Sequence, residues 1–275
     1  MGIQRHGRTL TKILAVSSLA ALCGGCVGIG PEAQSLAESG SDVSDVTARV
    51  SSLTASFALG PGSSLDPGSL EATAGFYSPN GCATVEDITG SSGDSVKVTF
   101  DDCAGPWGLV HVSGSVTVAP TPDGEGFEIS STHLELDHAT VVAFDKTQAM
   151  ITSNAPARTV TWSPSLSGTT ARGQGFTSTS EGVWQLTWTA GQTCIASEGA
   201  SQATVAGTSL IACSSTRCSS KATALTRCNA DCPTAGTLVI SSGAALSDIL
   251  SFNGKDVVAF TTTSGTNDIQ LACGL

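Results

Sequence analysis

The chain reads as all-β: a single antiparallel meander forming a curved sheet or a two-layer sandwich, with a short N-terminal helix and a disordered tether before it. Three observations predict this. Ser, Thr, Gly and Val abound while the helix formers Glu, Lys and Met are scarce, a bias toward strands and turns. Short runs alternate apolar and polar residues, as in Val96-Lys97-Val98-Thr99-Phe100, which places Val96, Val98 and Phe100 on one face. Turn formers separate these runs too closely for the crossover helices that parallel strands require.

The first element is a basic, acid-free leader. Arg5, Arg8 and Lys12 precede an apolar run from Ile13 to Leu22, which Cys23-Gly24-Gly25-Cys26 closes. A positive start, a short apolar middle and small residues at the end form an export signal. The run is too short to span a bilayer permanently. With Gly-Gly directly before a cysteine, residues 1–26 resemble the lipobox signal of bacterial membrane lipoproteins. That resemblance implies a diacylglycerol on Cys26, cleavage just before it, and a membrane partner reached through the lipid anchor. It departs from the usual pattern at Cys23, where a lipobox carries Leu. Lipidation of Cys23 itself would put the bulky Leu22 at the cleavage site. Val27, standing where Asp would retain a Gram-negative lipoprotein, implies transfer to the outer membrane.

Residues 27–70 read as a flexible tether punctuated by Pro31, Pro61 and Pro67. Within it Val46, Val50, Leu53 and Phe57 recur at helical spacing, which predicts a short helix over 44–59 capped by Ser44.

Residues 71–275 read as one β domain. The strand at 96–100 leads through Cys103-Ala104-Gly105-Pro106-Trp107-Gly108 into a long strand, Leu109–Val118. Pro122-Asp123-Gly124 turns the chain into Phe127–Leu136, and Ala139–Ile151 returns. Thr159–Trp162, Ser165–Thr170 and Gly182–Thr189 continue the texture, and Ala203–Ala212 precedes a cysteine-rich passage, Cys213–Cys232, read as stapled loops. Gly236–Ser241, Ile249–Phe252, Val257–Thr263 and Ile269–Cys273 close the chain, with Asn253-Gly254 as a hairpin turn. No period of fixed length with matching residues is present, so solenoid and propeller readings lack support. The texture resembles bacterial surface lipoproteins as a type.

Beyond Cys26 the cysteines are Cys82, Cys103, Cys194, Cys213, Cys218, Cys228, Cys232 and Cys273. An even number in an exported chain suggests four disulfides, with 105 possible pairings. Proximity pairs Cys82 with Cys103 and Cys232 with Cys273, leaving the middle four to pair among themselves. Their spacing misses the CxxC pairs of zinc ribbons, so no metal site is assigned.

The sequence carries little chemistry. The chain past the leader holds 9 basic against 23 acidic residues, a net charge of −14 that repels nucleic acid. No nucleophile elbow, phosphate loop or dinucleotide fingerprint occurs, so no catalytic residue and no cofactor is assigned. His133, Glu135 and Asp137 alternate with Leu134 and Leu136, which predicts one solvated strand face. Trp184 and Trp188 share a face and are the candidate ligand-binding residues, for an apolar or sugar ligand in a curved sheet. The expectation is a non-enzymatic envelope protein with a structural or interaction role, with a carrier as the alternative and, as a second alternative, a hydrolase that would need His111, His133 or His138 beside a Ser, Asp or Glu in a cleft.

Overall fold

A computed structural model of the chain describes residues 30–59, 67–90, 93–152, 157–215, 222–243 and 246–275. The leader and Cys26 lie outside them. Two helices, α1 (Pro31–Ser56) and α2 (Pro67–Ala74), precede the strands. The first five strands are β1 (Ala83–Gly90), β2 (Gly93–Gly105), β3 (Leu109–Pro120), β4 (Gly126–Leu136) and β5 (Ala139–Ile151). Each pairs antiparallel with the next, and Thr121, Asp123 and Gly124 form the expected turn between β3 and β4.

The next strands come as broken halves of long chain passes. They are β6 (Ala157–Trp162) and β7 (Ser165–Thr169), β8 (Gly175–Ser180) and β9 (Trp184–Thr189), β10 (Ile195–Glu198) and β11 (Ala200–Val205), and β12 (Thr208–Cys213) and β13 (Thr223–Arg227). β5 pairs with β7 near its start and with β6 at its end. One row then runs β7–β8–β11–β12 and the other β6–β9–β10–β13. Both rows rejoin on β14 (Ala235–Ser242), after which β15 (Leu246–Ser251), β16 (Val257–Thr262) and β17 (Gly265–Gln270) complete a 17-stranded antiparallel sheet. The line of breaks makes room for Trp184: a Cβ on Gly199, between β10 and β11, would come within 2.8 Å of its indole. The passage 213–232 is thus not all loop, since β13 lies inside it.

The sheet is curved into a roll around α1. The helix touches β3, β4 and β5, the middle strands β9 to β12, and β14, β15 and β17, so strands far apart in the sheet meet one helix. This corrects the expectation of a tether over 27–70 with a helix limited to 44–59. The helix starts at Pro31, runs 26 residues (about 39 Å at 1.5 Å per residue), and is buried along most of its length. Ser44 does not cap it but sits buried in its interior.

The physical reason lies in its small and hydroxyl-bearing residues. Thr47, Ser52 and Thr54 each donate a side-chain hydrogen bond to the carbonyl four residues back, so their burial leaves no unmet hydroxyl donor. Small side chains also allow close approach. A Cβ added to Gly40 would sit 2.5 Å from Ile240 Cγ2 on β14.

The core between helix and sheet holds Val43, Val46, Val50 and Leu53 from α1 against Phe127, Phe144, Leu186, Leu238 and Phe260. Phe57 packs edge-on against Phe127 where α1 ends. Three disulfides join described residues and staple the roll: Cys82–Cys103, Cys194–Cys228 and Cys232–Cys273. The two proximity pairs are as read from the sequence. Cys213 is disulfide-bonded as well, and Cys218 lies outside the described residues.

Candidate functional site

The concave side of the sheet is where a ligand would be expected, and it is occupied. Trp184, Leu186 and Trp188 alternate inward from β9, and both tryptophans are core residues with relative exposures of 1% and 6%. Trp188 stacks near Trp107 with ring centroids 5.2 Å apart, and Trp162 donates its indole N–H to Ser51 of α1 at 3.2 Å. Trp162 therefore ties the helix to the sheet, and the buried Trp184 and Trp188 present no face to a ligand. The crevice between Ser44 and Ala48 of α1 and Leu225 and Phe252 leaves only about 10 Å³, no more than one water's space.

Inside one flank of the roll is a charge cluster that the sequence reading missed. Arg49 on α1 bonds Asp45 Oδ2 through Nε at 2.6 Å and pairs with Asp137. Its remaining nitrogens donate to the carbonyls of Gly108 (3.3 Å) and Asp231 (3.2 Å). Arg227 on β13 bonds the other oxygen of Asp45 at 2.6 Å and the Asp231 carbonyl at 2.5 Å. Burial by itself raises the Asp45 carboxyl, but the two guanidiniums outweigh it and hold the group below its ordinary value. Burial also pulls Arg49 below the usual guanidinium range.

Asp137 corrects the expectation of a solvated face carrying His133, Glu135 and Asp137. His133 and Glu135 are exposed, 3.3 Å apart. Asp137 sits in the β4–β5 turn at φ +55°, a left-handed conformation that breaks the alternation and turns its carboxylate inward. There it accepts from the backbone N–H of Val110 (2.9 Å) and His111 (2.7 Å) as well as meeting Arg49.

Two further buried carboxyls stand apart. Asp42 on α1 pairs with Arg172 of the β7–β8 turn, which also donates to the Gln270 carbonyl at the end of β17. Burial pushes Asp42 up to about 7, with Arg172 opposing. Asp248 on β15 is buried, and its two oxygens have no hydrogen-bond partner among the described residues. Burial pushes it up to about 6.

The histidines named as hydrolytic candidates lie on exposed positions among the described residues. His111 Nδ1 lies 2.6 Å from Asp102 Oδ1, but both side chains are more than half exposed. His138 is exposed too, and none of His111, His133 and His138 lines the grooves over the outer face or the crevice beside α1. Among the described residues no three His, Cys, Asp or Glu side chains converge to hold a metal ion.

The outer face offers the larger concavities. One groove of about 600 Å³ crosses β3, β4, β5, β7 and β8, lined by hydroxyls such as those of Thr117, Thr132, Thr177 and Thr179 together with Ala143, Phe144, Asp145 and Leu166. A neighbouring groove of about 380 Å³ shares Thr177 and Thr179 and runs on over Thr204 and Ser209. Strand register lines these hydroxyls up, Ser167 facing Thr177, Thr177 facing Thr204, and Thr204 facing Ser209. A third groove, about 470 Å³, lies where α1 begins, among Pro31, Glu32, Ser35, Leu36, Thr208 and Leu210.

Comparison with protein-family models, with curated proteins and with solved structures gives no match. No helix among the described residues is long and apolar enough to cross a membrane, which says nothing of spanning by strands.

Proposed function

We propose that the chain is a lipid-anchored protein of the cell envelope, held at the outer membrane through Cys26, whose disulfide-stapled roll has a non-enzymatic structural or interaction role. The observation that carries this reading is α1 itself. The volume a curved sheet would give to a ligand is filled by the chain's own helix, packed against Trp162 and the wider core. The leader and its Gly-Gly-Cys ending support the anchor, and the disulfides fit an oxidising compartment.

Intact mass of the protein recovered from cells, before and after reduction, tests this reading. The expected species begins at Cys26, carries a diacylglycerol, and gains about eight hydrogens on reduction, two for each of four disulfides. A species that keeps Met1 and gains nothing would overturn it.

A second reading, a binder of sugars, moves to the outer face. The groove of about 600 Å³ sets hydroxyls such as Thr177 and Thr179 beside Ala143, Phe144 and Leu166, so it offers both hydrogen-bonding groups and apolar surface, the mixture that a sugar also presents. Isothermal titration with neutral oligosaccharides, repeated on Thr177→Val, tests it. Loss of measured binding in the variant supports it, and absence of binding in the parent ends it.

A further inference from the structure

We propose that the rim of the roll around the start of α1 lies against the phospholipid headgroups of the anchoring leaflet, so that the domain sits on the membrane and is not held off it by a leash. This rests on the reading of Cys26 as the lipidated residue. Residues 27–30 are all that separate Cys26 from Pro31, the first helical residue. At 3.3 to 3.6 Å per residue even a fully extended connection reaches about 18 Å.

The helix that follows is no swinging arm. Leu36, Ala37 and Gly40 are already buried, Ser39 bonds Gln174 at 3.3 Å, and Asp42 is pinned by Arg172. The anchor therefore pulls on a rigid body at one defined end.

That end is built from Pro31, Glu32 and Ser35 with Thr208 and Ser242 around the third groove. Apart from Glu32 those groups carry no charge, which suits contact with headgroups without a basic patch. The strongly acidic chain gains nothing from attraction to anionic lipid, so the short covalent connection sets the orientation. The opposite end, where Phe57 meets Phe127 and the β3–β4 turn carries Glu125, stands up to about 39 Å further along the helix axis. The groove over β3, β4, β5, β7 and β8 has no lining residue in common with the rim around the start of α1.

The test uses the full chain, lipidated in cells and reconstituted in phosphatidylcholine vesicles containing a headgroup-labelled acceptor lipid. A fluorescent residue replaces either Thr208 at the rim or Glu125 at the far end; both sites are exposed. Energy transfer to the lipid is expected to be several-fold greater from position 208. Inserting a flexible Gly-Ser segment of about twenty residues after Gly28 is expected to erase that difference. Equal or reversed transfer from a protein whose mass shows lipid on Cys26 would overturn the orientation while leaving the anchor standing. A mass without lipid on Cys26 would overturn the anchor and the orientation with it.

Discussion

Arg49, in the middle of α1, and Asp137, in the turn between β4 and β5, meet as an ion pair with side-chain exposures of 3% and 5%. The contact ties the helix to the sheet that surrounds it, in a place where an unpaired charge would be costly.

Replacing Arg49 by Met keeps the apolar stem but leaves the buried Asp137 carboxylate without a cation and Asp45 with Arg227 alone. The expected loss is about 3–5 kcal/mol of unfolding free energy, read from urea titration. Asp137→Asn keeps an acceptor for the Val110 and His111 amides and tolerates the left-handed backbone, so it is expected to lose less. An Arg49→Met protein as stable as its parent would contradict a structural role for the cluster.

Asp42 sets a pH dependence. Its carboxyl holds a proton more tightly folded (about 7) than its ordinary 3.8, so the proton favours the folded state. That contribution is fully present below the unfolded value and is lost as pH rises through about 7. Asp248, raised to about 6, acts in the same direction. Asp45, which is lowered, acts oppositely: its contribution is present above 3.8 and is lost as pH falls through its folded value. The midpoint of thermal unfolding is therefore expected to drop between about pH 4 and about pH 7, and Asp42→Asn to flatten the drop. An unchanged slope in that variant would refute the assignment.

Much of this arrangement was legible in the sequence, and the gaps have physical causes. Pro122-Asp123-Gly124 and Asn253-Gly254 could be read because turn chemistry is local: Asp123 Oδ1 accepts from Glu125 N at 3.0 Å, and Asn253 Oδ1 from Lys255 N at the same distance. The start of α1 could not be read. A helix enclosed on all sides needs no apolar stripe, and Ser41, Asp42 and Ser44 look like linker until a sheet surrounds them. Asp137 was misplaced because one left-handed residue undoes the alternation on which strand faces are read. Asp45 and Arg49 carried a faint signal, opposite charges four residues apart beside the stripe of Val46, Val50 and Leu53. The tryptophans were ambiguous because period-two alternation says which residues share a face but not what covers it.

Trp184→Ala is expected to cost about 3–5 kcal/mol, since the indole fills the line of breaks beside Gly199. A ligand-contacting surface tryptophan would leave the denaturation midpoint unmoved, so chemical denaturation separates the two roles.

Gly40→Ala drives a methyl into Ile240 and is expected to cost about 1–3 kcal/mol. Ile240→Ala removes the obstruction. In a double-mutant cycle the two losses are expected to sum to more than the loss in the double variant, whereas strict additivity would show that the close approach is absent.

The claim that α1 is a permanent part of the core is tested most directly by amide hydrogen exchange in the native protein. The amides from Val43 to Thr54 are expected to exchange only through global unfolding, at the same free energy as the amides of β4 and β14. Exchange of α1 as a unit at a markedly lower free energy, with the strands still protected, would mean that the helix leaves the roll and opens its interior to a ligand.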